Sequence, residues 1–261
     1  MERHRYALRL LYDGRAFRGF QRQPGLPTVQ EAVEVGLRRA GVEATLQVAA
    51  RTDAGVSAID QVVSFAARAD LDPVALRRAV NEGAPEGLLC LAAARAPRDF
   101  HARASALGRR YVYLVGFEPP ASVAPWCWTL PDERGFPGLS ATRLDAGAMR
   151  QALSHAVGVH DFAGFARPGE QRGTVRTVTR ADVLEAEGSP LVAVVLEGRG
   201  FLRAMVRNLV GTAVTAGLGL APPSALRDQL LARTRYWGVR APGWGLTLAS
   251  VSYPPGTLPW V

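Results

Sequence analysis

At 261 residues, with 48% hydrophobic and 21% charged residues, the chain is long enough for one large domain or two smaller ones, and its composition excludes wholesale disorder. Its 31 arginines outnumber 23 acidic residues, no lysine is present, and the formal net charge is +8. An arginine fork suits phosphate and stacks on bases, so this balance points to a polyanionic partner, nucleic acid above all; a GC-rich coding bias accounts for it equally well.

The longest weakly polar run, residues 209–221, is too short for a membrane span and holds three glycines. The opening Met1-Glu2-Arg3-His4-Arg5 leads straight into a strand-like pattern with no apolar secretion segment. Cys90 and Cys127 are too few and too far apart for a disulfide framework or a zinc site, so a reduced, cytoplasmic setting without a membrane is expected.

Taken in order, residues 5–12 alternate, with Tyr6, Leu8, Leu10 and Tyr12 on one face, and predict a strand ended by Asp13-Gly14. A loop rich in Arg, Gln and aromatics follows to Pro27. Thr28-Val29-Gln30-Glu31 has capping-box spacing and opens a helix that Gly41 stops. Residues 46–49 and 61–65 predict two strands around the polar stretch from Ala50 to Ala58. Asp72-Pro73 opens a second helix with a cap and a first-turn proline, and residues 88–94 form a short strand.

The second half repeats this order. Residues 109–117 predict a strand with Tyr111, Tyr113 and Val115 alternating; 119–137 is an irregular, proline-rich insertion; and Asp145 caps a helix. Residues 175–184 and 191–196 pair across Gly188-Ser189-Pro190. A helix carrying Leu202, Met205, Val206, Leu209, Val210 and Val214 follows, then another after Pro222-Pro223, and residues 246–253 form the last strand before a Pro-rich tail. Two consecutive β-α-β-β-α-β units predict an α+β fold of two tandem ferredoxin-like halves, residues 1–104 and 105–261, with largely antiparallel sheets, flanking helices and a cleft between the halves.

Between the two middle strands of the first half, Asp53 is the sole carboxylate of its loop, with Arg51 two residues earlier. Turns produce such pairs routinely. The phosphate-loop lysine is missing, Gly198-Arg199-Gly200 lacks the third glycine of a dinucleotide site, and the four histidines have no clustered partners for a metal. A second Asp-Thr/Ser-Gly loop for an aspartic-protease dyad is absent as well. Phe17 and Phe20, in the Arg-aromatic loop, fit core anchors better than base-stacking platforms. Arg203 and Arg207, four apart on an otherwise apolar helix, share a face and mark either an exposed edge or a partnered site.

Together, Tyr12-Asp13-Gly14, Gly19-Phe20-Gln21-Arg22-Gln23, Thr28-Val29-Gln30-Glu31, Arg51-Thr52-Asp53-Ala54-Gly55-Val56, Phe100-His101-Ala102-Arg103, Arg109-Arg110-Tyr111, Gly200-Phe201-Leu202-Arg203, Met205-Val206-Arg207-Asn208 and Gly245-Leu246 resemble the tRNA pseudouridine synthase A family. The resemblance implies isomerisation of uridine to pseudouridine at positions 38, 39 and 40 of the tRNA anticodon stem-loop. It implies no cofactor and no metal, and a homodimer on tRNA. Asp53 would be the nucleophile, on the ribose or the base ring, or a base on the ribose, with Arg51 and Arg207 supplying positive charge. Tyr111 would stack on the target uracil, and Leu246 would line the pocket. Arg22, His101, Arg103, Arg109, Arg110 and Arg203 would contact RNA. Ser57, Phe20 and Ala204 depart from the family's common His, Trp and larger polar residue. Two other classes fit the same residues: a catalytically silent RNA-binding module, and a carboxylate-dependent nucleosidase.

Overall fold

The computed structural model describes residues 3–167, 173–185, 187–234 and 238–261. Ten strands and five α-helices among them form an α+β fold with helices flanking sheet, as the alternation of periods predicts. The chain divides into two compact units, Met1–Arg109 together with Leu248–Val261, and Arg110–Thr247.

The first unit runs β1 (His4–Tyr12), α1 (Val29–Arg39), β2 (Gln47–Val48), β3 (Ser57–Ala67), α2 (Pro73–Gly83) and β4 (Leu88–Ala96). β1 lies between β3 and β4, antiparallel to both, and β2 pairs antiparallel with β3. As the central strand, β1 buries Tyr6, Ala7, Leu8 and Leu10 completely. Fully burying a leucine or phenylalanine side chain contributes ~1.5–3 kcal/mol, so this strand anchors the unit. Its register with β3 slips once, after Leu10, which sets Tyr12 opposite Ala58.

The two helix starts of this unit differ in how they are capped. At α2, Asp72 accepts from the backbone N–H groups of Val74 and Ala75 at 3.1 and 3.2 Å, as its sequence predicts. At α1 the predicted capping box does not form. Thr28 makes no side-chain cap, and its buried Oγ1 has no hydrogen-bond partner among the described residues. The Val29 and Gln30 N–H groups donate instead to the carbonyls of Gly19 and Phe20, at 3.3 and 2.9 Å. The preceding loop folds back over the helix end, and its backbone supplies what the threonine was expected to supply.

The second unit contains most of β5 (Gly108–Phe117), then β6 (Trp128–Leu130), α3 (Ala146–Ser154), β7 (Gly158–Asp161), β8 (Val175–Glu185), β9 (Leu191–Gly198), α4 (Met205–Gly217), α5 (Ala225–Ala232) and the start of β10 (Leu246–Ser252). Its sheet order is β5-β9-β8-β7. Two of these strands escaped the pattern reading. β6 is three residues inside the proline-rich insertion, pairing parallel with Val115, Gly116 and Phe117 of β5. β7 is four residues with one strongly exposed valine, Val159, and pairs antiparallel with β8. Runs this short carry too little alternation to be recognised.

Every residue of α4 except Arg207 is buried. Thr212 and Thr215 each donate to the carbonyl four residues back, and Asn208 Nδ2 donates to the Phe165 carbonyl at 2.7 Å. The helix begins at Met205, after Ala204 in the left-handed region with φ of 64°. Arg203 therefore precedes the helix and does not share a helical face with Arg207, contrary to the spacing argument.

The chain is also partitioned differently from the sequence expectation. The division falls at Arg109/Arg110, and residues from Leu248 onward join the first unit. There, β10 pairs with β3, the Tyr253 hydroxyl donates to the Ala102 carbonyl at 2.6 Å, and Val261 and Ala93 exchange backbone hydrogen bonds at 3.0 Å. Alternation reveals a strand but not the sheet it will join. Among the described residues, no helix is long and apolar enough to cross a membrane, and no group of three His, Cys, Asp or Glu could hold a metal ion.

Candidate functional site

The stretch between β2 and β3 carries Arg51, Thr52 and Asp53, and its shape comes from backbone contacts. The Val56 N–H donates to the Asp53 carbonyl at 3.2 Å, closing a turn whose third residue after Thr52, Gly55, has φ of 81°. The Phe20 N–H donates to the Thr52 carbonyl at 3.1 Å, and the Gly14 N–H donates to Ser57 Oγ at 3.0 Å. The first loop thus underlies the second along its length. The approach requires glycine: a Cβ on Gly14 would lie 2.2 Å from Val56 C and O, and one on Gly19 3.1 Å from the Thr52 carbonyl oxygen.

Thr52 is buried beneath the turn, Asp53 is half-buried, and Arg51 and Ala54 are exposed. A half-buried carboxylate on a turn braced from below is positioned for chemistry, with little rearrangement needed at the backbone. Phe17 and Phe20 are buried, and the Tyr12 and Phe17 rings meet edge to face at 6.3 Å. These phenylalanines anchor the Arg-aromatic loop in the core, as the sequence predicts. Exposed Arg22 pairs with Glu34 at 2.8 Å, and its N–H donates to Gln30 Oε1.

Arg109 has a different place from the expected RNA contact. It is 8% exposed, and its guanidinium donates to the Ala49 carbonyl from Nε and Nη2 at 3.3 and 2.9 Å and to the Arg103 carbonyl at 2.8 Å. A guanidinium so engaged braces the 101–106 turn against the end of β2, two residues before Arg51. That turn is tightened by His101, whose Nδ1 accepts from the Arg103 N–H at 3.1 Å, and by Ser105, whose Oγ accepts from the His101 N–H. Arg103 is exposed.

The remaining candidates lie in the second unit. Tyr111 is buried and meets Phe201 edge to face at 5.4 Å, while exposed Arg110 donates to Glu197 at 2.8 Å. Arg207 donates from Nε to the Ala241 carbonyl at 2.7 Å and accepts from the Ala241 N–H with its own carbonyl. One residue on, the Pro242 carbonyl accepts from the Tyr113 hydroxyl at 2.9 Å, and the Leu246 N–H donates to the Gly243 carbonyl. The segment at 241–246 therefore ties together α4, through Arg207, and β5, through Tyr113. Leu246 stands buried at its end, and Arg203 is exposed. Burial pushes the Tyr113 phenol well above its ordinary range, with nearby Arg207 opposing that shift.

The sequence places Tyr12 on a strand face and in a family motif without giving it a role, and Gln61 is not singled out. The Tyr12 hydroxyl lies 2.7 Å from Thr52 Oγ1, and Gln61 donates to it at 3.1 Å. The signal available was a lone glutamine opening the apolar run Gln61-Val62-Val63-Ser64-Phe65, where a buried amide needs partners.

A family model described as tRNA pseudouridine synthase matches residues 152–254, the stretch that holds Arg203, Arg207 and Leu246. Over nearly the full chain, the sequence is similar to tRNA pseudouridine synthase A of Neisseria meningitidis serogroup B, 38% identical over 260 residues, covering 97% of this chain and 93% of that protein. It is similarly 40% identical over 247 residues to tRNA pseudouridine synthase A of Syntrophotalea carbinolica, covering 94% of each. Among solved structures, an archaeal box H/ACA sRNP Nop10–Cbf5 complex matches at 16% identity and a TM-score of 0.36, over 78% of this chain and 45% of that one, too distant to bear on fold or function. With 38–40% identity sustained over at least 94% of its length, the chain belongs to the tRNA pseudouridine synthase A family and is a tRNA-modifying isomerase.

Proposed function

We propose that this enzyme converts uridine to pseudouridine at positions 38, 39 and 40 of the tRNA anticodon stem-loop, with Asp53 as nucleophile. The observation that carries the reading is the placement of Asp53: a half-buried carboxylate on a turn fixed through Thr52 and Val56 by a second loop. A carboxylate is ionised at neutral pH, forms a covalent adduct with a sugar or a uracil ring, and leaves again. The uracil is released from ribose at N1, turned, and rejoined through C5, so the reaction is internally balanced and needs no external redox partner or group donor.

In this reading Tyr111 stacks on the uracil and Leu246 packs beside it, while Arg51 and Arg207 supply positive charge to the site. Burial of Tyr111 and Leu246 and the fixed backbone around Arg207 support these roles. Arg22, His101, Arg103, Arg110 and Arg203 contact RNA, and Arg109 acts from beneath through the backbone it braces. The target nucleotide leaves its stack, at a cost of a few kcal/mol, which arginine–phosphate contacts offset. The protein works as a homodimer in the cytoplasm, and each half is a ferredoxin-like unit. The β-α-β-β-α-β order of β1 to β4, with β1 between β3 and β4, supports that reading of the first half.

The test is tritium release from an anticodon stem-loop carrying 5-tritiated uridine. Asp53→Asn should abolish release and still bind tRNA. Release at the wild-type rate from that variant would remove Asp53 from the mechanism and favour a silent role for the turn.

A further inference from the structure

We infer that Gln61 and Tyr12 are positioning residues for Asp53, acting through a buried chain of hydrogen bonds that ends on the Thr52 side chain. The inference rests on the reading of Asp53 as nucleophile.

The chain starts where β2 ends. Ladder hydrogen bonding with β3 continues one residue past Val48, since the Ala49 N–H donates to the Val62 carbonyl at 2.9 Å. At Ala50 the backbone partner is replaced by a side chain. Gln61 Nε2 donates to the Ala50 carbonyl at 2.7 Å, and its Oε1 accepts from the Ala50 N–H at 3.3 Å. The fully buried glutamine therefore does for Ala50 what an opposing strand residue does, and holds the chain to the sheet for one more step before it enters the turn.

The same amide has a defined orientation. Oε1 also accepts from the Val62 N–H at 3.2 Å, so two backbone donors fix the oxygen, and Nε2 must face the other way. There it donates to the Tyr12 hydroxyl at 3.1 Å. With that oxygen already accepting, the phenolic proton is directed at Thr52 Oγ1, 2.7 Å away. Burial raises the Tyr12 pKa to about 12, so this proton stays in place throughout the neutral range. The slip in register after Leu10 gives Tyr12 its place in the chain.

Thr52 is consequently gripped on two sides, its hydroxyl by Tyr12 and its carbonyl by the Phe20 N–H at 3.1 Å. Asp53 is the next residue. Rotation of the 52–53 peptide would break the Phe20 bond, and displacement of Thr52 Cα and its side chain would break the Tyr12 bond, so the two together fix the backbone that leads into Asp53. None of the three side chains reaches the substrate; each acts by limiting where the Asp53 Cα–Cβ bond points.

The experiment compares Tyr12→Phe, Thr52→Val and Thr52→Ser, and the double variant Tyr12→Phe/Thr52→Val, by single-turnover tritium release, tRNA affinity and thermal melting, with Asp53→Asn alongside. Tyr12→Phe and Thr52→Val should each lower turnover about 10- to 100-fold, with tRNA affinity within about twofold of wild type. Thr52→Ser, which keeps the hydroxyl, should restore most of the rate. The double variant should be no worse than the slower single one, because both break one chain. Equal losses in Thr52→Ser and Thr52→Val, multiplying losses in the double variant, or full turnover in Tyr12→Phe would overturn the inference. If Tyr12→Phe does not fold, the Ser and Val pair decides alone. An inactive Asp53→Asn beside a fully active Tyr12→Phe removes the positioning role only, whereas an active Asp53→Asn removes the nucleophile and this inference with it.

Discussion

Gly14→Ala is a small change with a large expected effect, because its target is backbone. The added Cβ would stand 2.2 Å from both Val56 C and Val56 O and 2.7 Å from Gly55 C. Non-bonded carbons settle at about 3.5–4.0 Å, so the two loops must separate by roughly 1 Å or more. Gly14 is buried and Val56 is 2% exposed, which leaves no flexible side chain to absorb the strain. Overpacking of this kind destabilises by about 1–3 kcal/mol, which for a chain of this size lowers Tm by about 2–12 °C. Val56 closes the turn on the Asp53 carbonyl, so the displacement reaches the carboxylate. A misplacement of about 1 Å at a reacting group lowers turnover about 100-fold. Scanning calorimetry and single-turnover tritium release read the two effects separately. Gly25→Ala is the control: its φ of 69° makes alanine strained, but nothing lies within 4 Å of the new Cβ, so it should lose about 1–2 kcal/mol of stability and no turnover. Wild-type turnover in Gly14→Ala, or an equal loss in Gly25→Ala, would refute the reasoning.

Three further outcomes follow from burial. Arg109→Ala should lower the urea-unfolding free energy by about 2–5 kcal/mol, because it strands the Ala49 and Arg103 carbonyls without their donor; a loss under about 0.5 kcal/mol would mean the guanidinium is dispensable to the fold. Both cysteines are buried, with thiols pushed up by burial to about 12 for Cys90 and about 11 for Cys127, so a thiol reagent at pH 8 should titrate both in urea and neither in the native protein; prompt native reaction of either would contradict the packing. The Tyr12 phenol ionises at 10.0 in the unfolded chain and at about 12 in the folded one, so the folded state holds the extra proton between those values. Its contribution is complete below pH 10 and declines as pH rises toward about 12, by about 3 kcal/mol in all. Wild type should therefore lose more stability than Tyr12→Phe between pH 9.5 and 11.5, and parallel curves would place the phenol in water.

What was legible in the sequence was local. Asp72-Pro73 names its own helix start because the cap and the N–H groups that donate to it lie within three residues, and the structure has them bonded. Thr28 has the same kind of signature, but the carbonyls that satisfy its helix come from Gly19 and Phe20, and no spacing rule sees a loop fold back. Alternation along β5 placed Tyr111 and Tyr113 on the buried face, and the same parity includes Arg109, which the resemblance had assigned to RNA. The last strand was found, but not that its residues from Leu248 belong with β3. The motifs surrounding Asp53 were visible as residues in a row; that Tyr12 and Gln61, on strands separated by the whole of α1, meet at Thr52 was not.

The two loops at residues 13–20 and 50–57 also bear on how portable this chemistry is. Gly14 and Gly19 fit against Val56 and Thr52 so closely that the loops have one shape between them, although residues 21–49 separate them in the chain. Moving the Arg-Thr-Asp-Ala-Gly-Val hexapeptide into another scaffold would carry the carboxylate and leave behind the floor it stands on. A working transplant has to bring both loops along with the two strands that supply Tyr12 and Gln61. For the same reason, saturation mutagenesis should find Gly14 and Gly19 as intolerant as Asp53, despite their having no side chain with which to touch a substrate.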